Sequence, residues 1–269
     1  MIGEGGYGCI YPGNLCKETT EGASKVVNRR AGIREIHNGN RIRTIDGYKQ
    51  YFVPVDSSCL IHTHKLQQKC RALRREETYF VLTMPYIRKV QRPFDRTTFA
   101  ELIPHLNKLV KAKMVHFDLK LDNLIFTPHP LILDFGISID MKVVKKNLSQ
   151  AFYVYSPDIY EWPIDVHLLC YMMDRELTPV AVETVCREVY DRNPFLDNVD
   201  ECIHHYSFLN TITREEAIHR LLHGWKTWDL YALTLILFFR EEIPALRANL
   251  HPNHKKRLSL TASSLAIRM

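Results

Sequence analysis

The apolar residues change their spacing near Thr97, and that change points the chain toward a two-part α+β architecture. Before it stand short β-like runs, Val26-Val27, Tyr51-Phe52-Val53 and Tyr79-Phe80-Val81-Leu82-Thr83-Met84, separated by polar and glycine-containing turns. After it, Phe99, Leu102, Ile103, Leu106, Leu109 and Val110 fall on one face of a helix. A small sheet-rich part followed by a larger, mainly helical part is expected. Within the first part, Ile33, Ile36 and Ile42 have near-helical spacing, although Gly32 and Gly39 weaken a helix there. In the second, Thr178-Pro179 has the form of a helix start, and Thr213 followed by Glu216 has the spacing of a capping box. Leu230 to Phe239, the longest apolar stretch, is too short to span a bilayer and reads as a buried helix.

A chain of 269 residues with 46% hydrophobic content can fill a core of this size. Its 36 basic and 30 acidic residues give a formal charge of +6, spread without a long single-sign run. That balance suits an anionic ligand. No basic stripe interleaved with aromatics stands out, so specific nucleic-acid binding is not expected, and no membrane association is expected either. The seven cysteines, odd in number and scattered from Cys9 to Cys202, lack the form of a secreted disulfide framework. The N-terminus lacks the basic start and apolar middle of a signal peptide. These features predict a soluble, non-secreted, monomeric protein of a reducing compartment, cytoplasmic or nuclear. Cys59, His62, His64 and Cys70 form a loose cluster whose spacing matches no closed tetrahedral zinc motif. His204, His205 and His219 read as solvated or satisfied surface residues.

Three motifs carry chemistry. Gly3-Glu4-Gly5-Gly6-Tyr7-Gly8, followed by Ile10, lets a backbone approach phosphates and donate amides to them. A dinucleotide fold would need a full strand before this loop and a helix after it; only Met1 and Ile2 precede it, and Cys9-Ile10-Tyr11-Pro12 opens no helix. The second motif, His116-Phe117-Asp118-Leu119-Lys120-Leu121-Asp122-Asn123-Leu124, puts a base, a cation and an amide oxygen on one loop, as in-line phosphoryl transfer requires. Asp118 would accept the hydroxyl proton, Lys120 would offset phosphoryl charge, and Asn123 would ligate magnesium. The third is the apolar run Leu131-Ile132-Leu133 ending in Asp134-Phe135-Gly136, which sets a carboxylate at a strand end where it can meet a metal.

Together these motifs resemble the glycine-rich loop, catalytic loop and metal-binding motif of the eukaryotic protein kinases. The resemblance implies a bilobal protein-kinase-like fold, with a small antiparallel β-rich lobe over 1–87 and a larger helical lobe over 88–269. It implies ATP and Mg2+ as cofactors and protein serines or threonines as acceptors. Ala23-Ser24-Lys25 is similar to the family's phosphate-gripping strand, with Glu35 as the ion-pair partner of Lys25. Ile2, Gly3, Gly5, Gly6, Gly8, Ile10, Ala23, Met84, Tyr86 and Ile125 would line the nucleotide. Trp228-Asp229-Leu230-Tyr231-Ala232-Leu233 resembles the central helix whose aspartate braces the catalytic loop, and Arg257 resembles the family's late arginine. Two candidate regions could supply its acid: Tyr155-Ser156-Pro157-Asp158, which resembles the substrate-facing loop, and Trp162-Pro163-Ile164-Asp165. Lys120 and Ser156 match the serine/threonine kinases better than the tyrosine kinases.

Several departures matter. Phe117 stands where many family members have an arginine that pairs with a phosphorylated activation loop, and only twenty-two residues separate Asp134 from Ser156. Activity without loop phosphorylation is therefore expected. The chain starts almost on the glycine loop, which would leave the first strand clipped or short. Helical mass is moved from after Asp229 to before it, a compact arrangement reminiscent of kinases of large DNA viruses. Two other functions share some of these features: a pseudokinase acting as a binding module, and a small-molecule kinase of the aminoglycoside-phosphotransferase type.

Overall fold

The computed structural model describes residues 1–5, 8–62, 70–73, 78–88, 90–175 and 178–267. The protein is α+β, about 49% helical and 18% strand, with an antiparallel sheet and several helices. In chain order the strands are β1 (Gly3–Gly5), β2 (Gly8–Asn14), β3 (Thr19–Val27), β4 (Phe52–Val53), β5 (Ser57–His62), β6 (Thr78–Met84), β7 (Met114–Val115), β8 (Leu124–Phe126), β9 (Pro130–Leu133) and β10 (Ile139–Asp140). The helices are α1 (Arg29–Arg43), α2 (Arg96–Ala112), α3 (Leu148–Ala151), α4 (Ile164–Asp174), α5 (Pro179–Arg192), α6 (Val199–Tyr206), α7 (Arg214–Leu222), α8 (Trp228–Phe238) and α9 (Leu260–Ala266). The chain forms two compact units, one of Met1–Arg92 with Asp122–Ser138 and one of Pro93–Leu121 with Ile139–Met269. Residues 122–138, expected with the helical part, thus belong to the first unit. The cause is pairing: β8 and β9 form an antiparallel hairpin, and β9 runs parallel to β4 through Phe52↔Ile132 and Val53↔Leu133.

The first unit is built on an antiparallel sheet of order β1-β2-β3-β6-β5. Alternation along its strands fills two faces. Val27 and Leu82 join Val55 under Ala31 and Ile36 of α1, whereas Val26 and Val81 join Cys9, Tyr11, Cys70 and Tyr79 on the other face. Helix α1 runs through both glycines that weakened it in sequence. A Cβ at Gly32 would lie 2.7 Å from the Cβ of Phe80, so the missing side chain lets the helix approach β6. Asn28 caps α1 by accepting from the Ala31 amide. Of the three isoleucines, Ile42 is fully buried but Ile33 is 52% exposed.

The cysteine reading requires correction. Cys9 is bonded to Cys70 and Cys16 to Cys59, so four of the seven cysteines form disulfides although their scatter does not have the form of a disulfide framework. Disulfides persist mostly in oxidising environments, whereas the number and scatter of the cysteines pointed to a reducing one. β2 and β5 are not neighbours in the sheet. Both bonds instead tie β2 or the turn after it to β5 or the chain beyond it, pairings hidden by sequence separations of 61 and 43. The loose zinc cluster is also excluded, because Cys59 and Cys70 have no thiolate to offer; His62 meets the Thr78 hydroxyl at 3.1 Å, and His64 lies outside the described residues. Closing loops of these lengths restricts the unfolded chain, so reduction, or the Cys9→Ser/Cys70→Ser variant, should cost about 2–4 kcal/mol of stability. Denaturant unfolding with and without a reductant checks this, and an unchanged midpoint would contradict it.

The second unit is helical. In α2, Phe99, Leu102, Ile103, Leu106 and Leu109 are buried as the periodicity predicts, while Val110, expected on the same face, is half-buried. Thr178 caps α5 by accepting from Ala181 N, and Thr213 caps α7 by accepting from Glu216 N. Helix α8 is buried on nearly every side, from Trp228 through Phe238. The choice of acid for Arg257 is also decided: Arg257 Nη1 lies 2.8 Å from Asp165 Oδ2, and both side chains are almost fully buried. The same guanidinium donates to the carbonyls of His251 and Pro252, while Tyr206 donates its hydroxyl to Asp165 Oδ1 at 2.7 Å. No helix among the described residues is long and apolar enough to cross a membrane.

Candidate functional site

Each unit carries one cluster of the residues singled out above. In the first, β3 presents Lys25, α1 presents Glu35, and the end of β9 presents Asp134. The Lys25 ammonium lies 2.9 Å from Glu35 Oε2 and 2.7 Å from Asp134 Oδ1. Burial works against the lysine cation, but the two carboxylates outweigh it and raise its pKa above the ordinary range. Burial pushes the Glu35 carboxyl up to about 7; Lys25 pulls it down and the charge of Asp134 adds to the rise. One cation is thus shared by two acids in a poorly solvated place.

The backbone around Asp134 is shaped for this cluster. Asp134 itself has φ +63°, a left-handed conformation that non-glycine residues seldom adopt and that costs energy. Gly136 donates its amide to Asp134 Oδ1, and a Cβ on Gly136 would meet that oxygen at 3.0 Å and Glu35 Oε2 at 3.2 Å. A side chain there would press on both acids. Phe135 packs edge-to-face on Phe52, which anchors the turn. The register Leu124↔Ile132 brings the positions before β8 and after β9 to the same end of one hairpin. Asn123 is the residue before β8, buried, and Asp134 the residue after β9, so the two oxygen-bearing side chains sit on neighbouring strand ends. Two hard oxygen donors on these strand ends are of the kind that could hold a magnesium-type ion.

A hollow in this unit is lined by Ile10, Lys25, Glu35, Met84, Leu133 and Asp134, among others. Ala23 is buried and pairs with Met84 in the sheet. Ile2 is 55% exposed and Tyr86 63% exposed. Neither they nor Ile125 line the hollow. Gly3 and Gly5 bound β1, and Gly6 lies outside the described residues. Gly8 has a structural role, since a Cβ there would fall 2.0 Å from the Val26 carbonyl oxygen of the paired strand.

The second cluster surrounds Asp118. Lys120 Nζ lies 2.9 Å from both Asp118 carboxylate oxygens. The half-buried Asp229 carboxylate accepts the His116 amide at 2.8 Å and the Phe117 amide at 3.0 Å. Burial raises the Asp229 pKa, while those amides and His116 oppose the rise. Glu161 shares a small cavity with Asp118, Trp162 and Asp229. Burial pushes the Glu161 carboxyl up, a backbone hydrogen bond opposes it, and the Asp118 charge adds to the rise. A wider groove lined by Lys145, Leu148, Arg214, His219 and Leu222 shares no residue with the Asp118 cluster.

Two contacts escaped the sequence reading. Asn38 donates its buried amide to the carbonyls of Phe135 at 2.8 Å and Ser138 at 2.9 Å, pinning the turn that follows Asp134. Its signal is helical spacing, three residues after Glu35 on α1. Trp162 donates its indole N–H to the Phe117 carbonyl at 2.8 Å, a contact that no local pattern announces. The chain matches no family model and no curated protein, so its functional reading rests on these residues.

Proposed function

We propose that the protein is an ATP- and magnesium-dependent protein serine/threonine kinase of bilobal, protein-kinase-like architecture. The observation that carries this reading is the Lys25 ammonium held between Glu35 and Asp134 beside a hollow of the first unit. A lysine kept charged and oriented by two acids is suited to grip phosphate oxygens. Asn123 and Asp134 would hold magnesium, which when bound neutralises charge between phosphates. Asp118 is assigned as the acceptor of the substrate hydroxyl proton, and Lys120, already against that carboxylate, as the cation that meets the transferred group.

Lys25, Asp118, Asn123 and Asp134 are all present, which favours catalysis over a pseudokinase role. Gly136, Lys120 and the bracing of the Asp118 loop by Asp229 favour a protein kinase over a small-molecule kinase. The test is a titration of the full chain with ATP in the presence of magnesium, followed by transfer of labelled phosphate to a general serine- and threonine-containing protein. Asp134→Asn should weaken magnesium-dependent nucleotide binding roughly 10–100-fold, by analogy with the loss of groups that orient metal ligands. Equal binding by wild type and variant, with or without magnesium, would end the assignment. Transfer to an aminoglycoside alcohol but not to protein would favour the small-molecule reading.

A further inference from the structure

The peptide preceding Asp118 is held from two sides by groups far away in the chain. From one side Asp229 accepts the amides of His116 and Phe117. From the other the Trp162 indole donates to the Phe117 carbonyl at 2.8 Å, inside the core. The ring of Phe117 stacks on Trp162 at 4.7 Å and meets Phe152 edge-on at 5.8 Å; Phe152 in turn meets Trp228 edge-on. Phe117, Phe152, Trp162 and Trp228 are all buried. Phe117 is also in the left-handed region, with φ +70°, a conformation that persists only where its surroundings over-determine it. Phe152 and Trp162 both belong to the stretch leading from β10 to α4.

We infer that Trp162 is a positioning residue for Asp118: through the Phe117 peptide and this aromatic clasp, the stretch between β10 and α4 holds the base in its working orientation without a phosphate. The inference rests on the kinase reading for its function but on the clasp geometry for its substance. Its physical basis is the single N–H donor. Without it the Phe117 carbonyl loses a buried partner, and the strained φ of that residue loses one of its restraints. Apolar packing alone would keep the stretch in place but would not aim the peptide.

Two variants separate these contributions. Trp162→Phe keeps an aromatic ring and removes the donor; Phe117→Leu keeps the carbonyl acceptor and removes the stack. For Trp162→Phe the expected result is a roughly 5- to 100-fold fall in kcat, the size of leaving one buried acceptor unpaired, with KM for ATP within about twofold of wild type. Trp162→Phe should lower global stability by about 1–3 kcal/mol, and hydrogen exchange at the Phe117 and Asp118 amides should quicken by more than that loss accounts for. Phe117→Leu should lower the midpoint without this selective quickening. Phosphatase-treated wild type should keep its rate. The inference is overturned if Trp162→Phe leaves kcat unchanged and quickens those amides no more than the global loss does, or if phosphorylating residues between β10 and α4 raises the rate many-fold. Should wild type transfer no phosphate at all, the kinase reading fails by itself. The exchange measurement then still decides the clasp, supporting it if the two amides quicken in Trp162→Phe beyond the global loss and overturning it if they do not.

Discussion

Asp118→Ala is expected to lower phosphoryl transfer to protein hydroxyls by roughly 10²–10⁴-fold, the usual contribution of a positioned general base. The loss should fall on kcat, because Asp118 is assigned to the reacting proton and Lys25, Glu35 and Asp134 to the nucleotide. ATP affinity should therefore stay near wild type, which separates this variant from Asp134→Asn. Removing the carboxylate also releases Lys120, whose ammonium lies 2.9 Å from both of its oxygens. That side chain is partly exposed, so its release should cost little stability. Radiolabel transfer by wild type and variant under identical loading checks the rate, and equal rates would remove Asp118 from the reaction.

The second large effect is on stability. Asp165 and Arg257 form an ion pair that is almost completely withdrawn from water, with side chains 2% and 1% exposed. Taking one charge away leaves the other buried and uncompensated, which typically costs about 3–5 kcal/mol. Asp165→Asn and Arg257→Met should each lower the denaturant midpoint of the full chain by an amount of that order. The asparagine can still accept from the Tyr206 hydroxyl, but it offers no charge to the guanidinium. An Asp165→Leu/Arg257→Met double variant should recover part of the loss, because it removes both charges. A change below about 1 kcal/mol in either single variant would show that water reaches the pair.

Much of the local structure was legible because it depends on residues within a turn or two of one another. The buried face of α2 follows from the period of Phe99, Leu102, Ile103, Leu106 and Leu109, and Thr178 and Thr213 cap the helices they precede. Helix α1 was harder: its glycines lower helix propensity, but the close approach to Phe80 that Gly32 permits compensates through packing. Lys25 and Glu35, ten residues apart, could be named as candidate partners, yet their 2.9 Å contact depends on α1 lying against β6.

By itself the sequence determined the α+β character, the caps and periods of the main helices, and the chemical types available at Lys25, Asp118, Asn123 and Asp134. Only the tertiary structure decided which distant groups meet. It chose Asp165 for Arg257, joined Cys9 to Cys70 and Cys16 to Cys59, moved residues 122–138 into the first unit, and set Trp162 on the Phe117 carbonyl. The physical reason is common to all four. Periodicity and capping are written in neighbouring residues, whereas contacts across 43 or more positions arise when whole strands and helices bury their apolar faces.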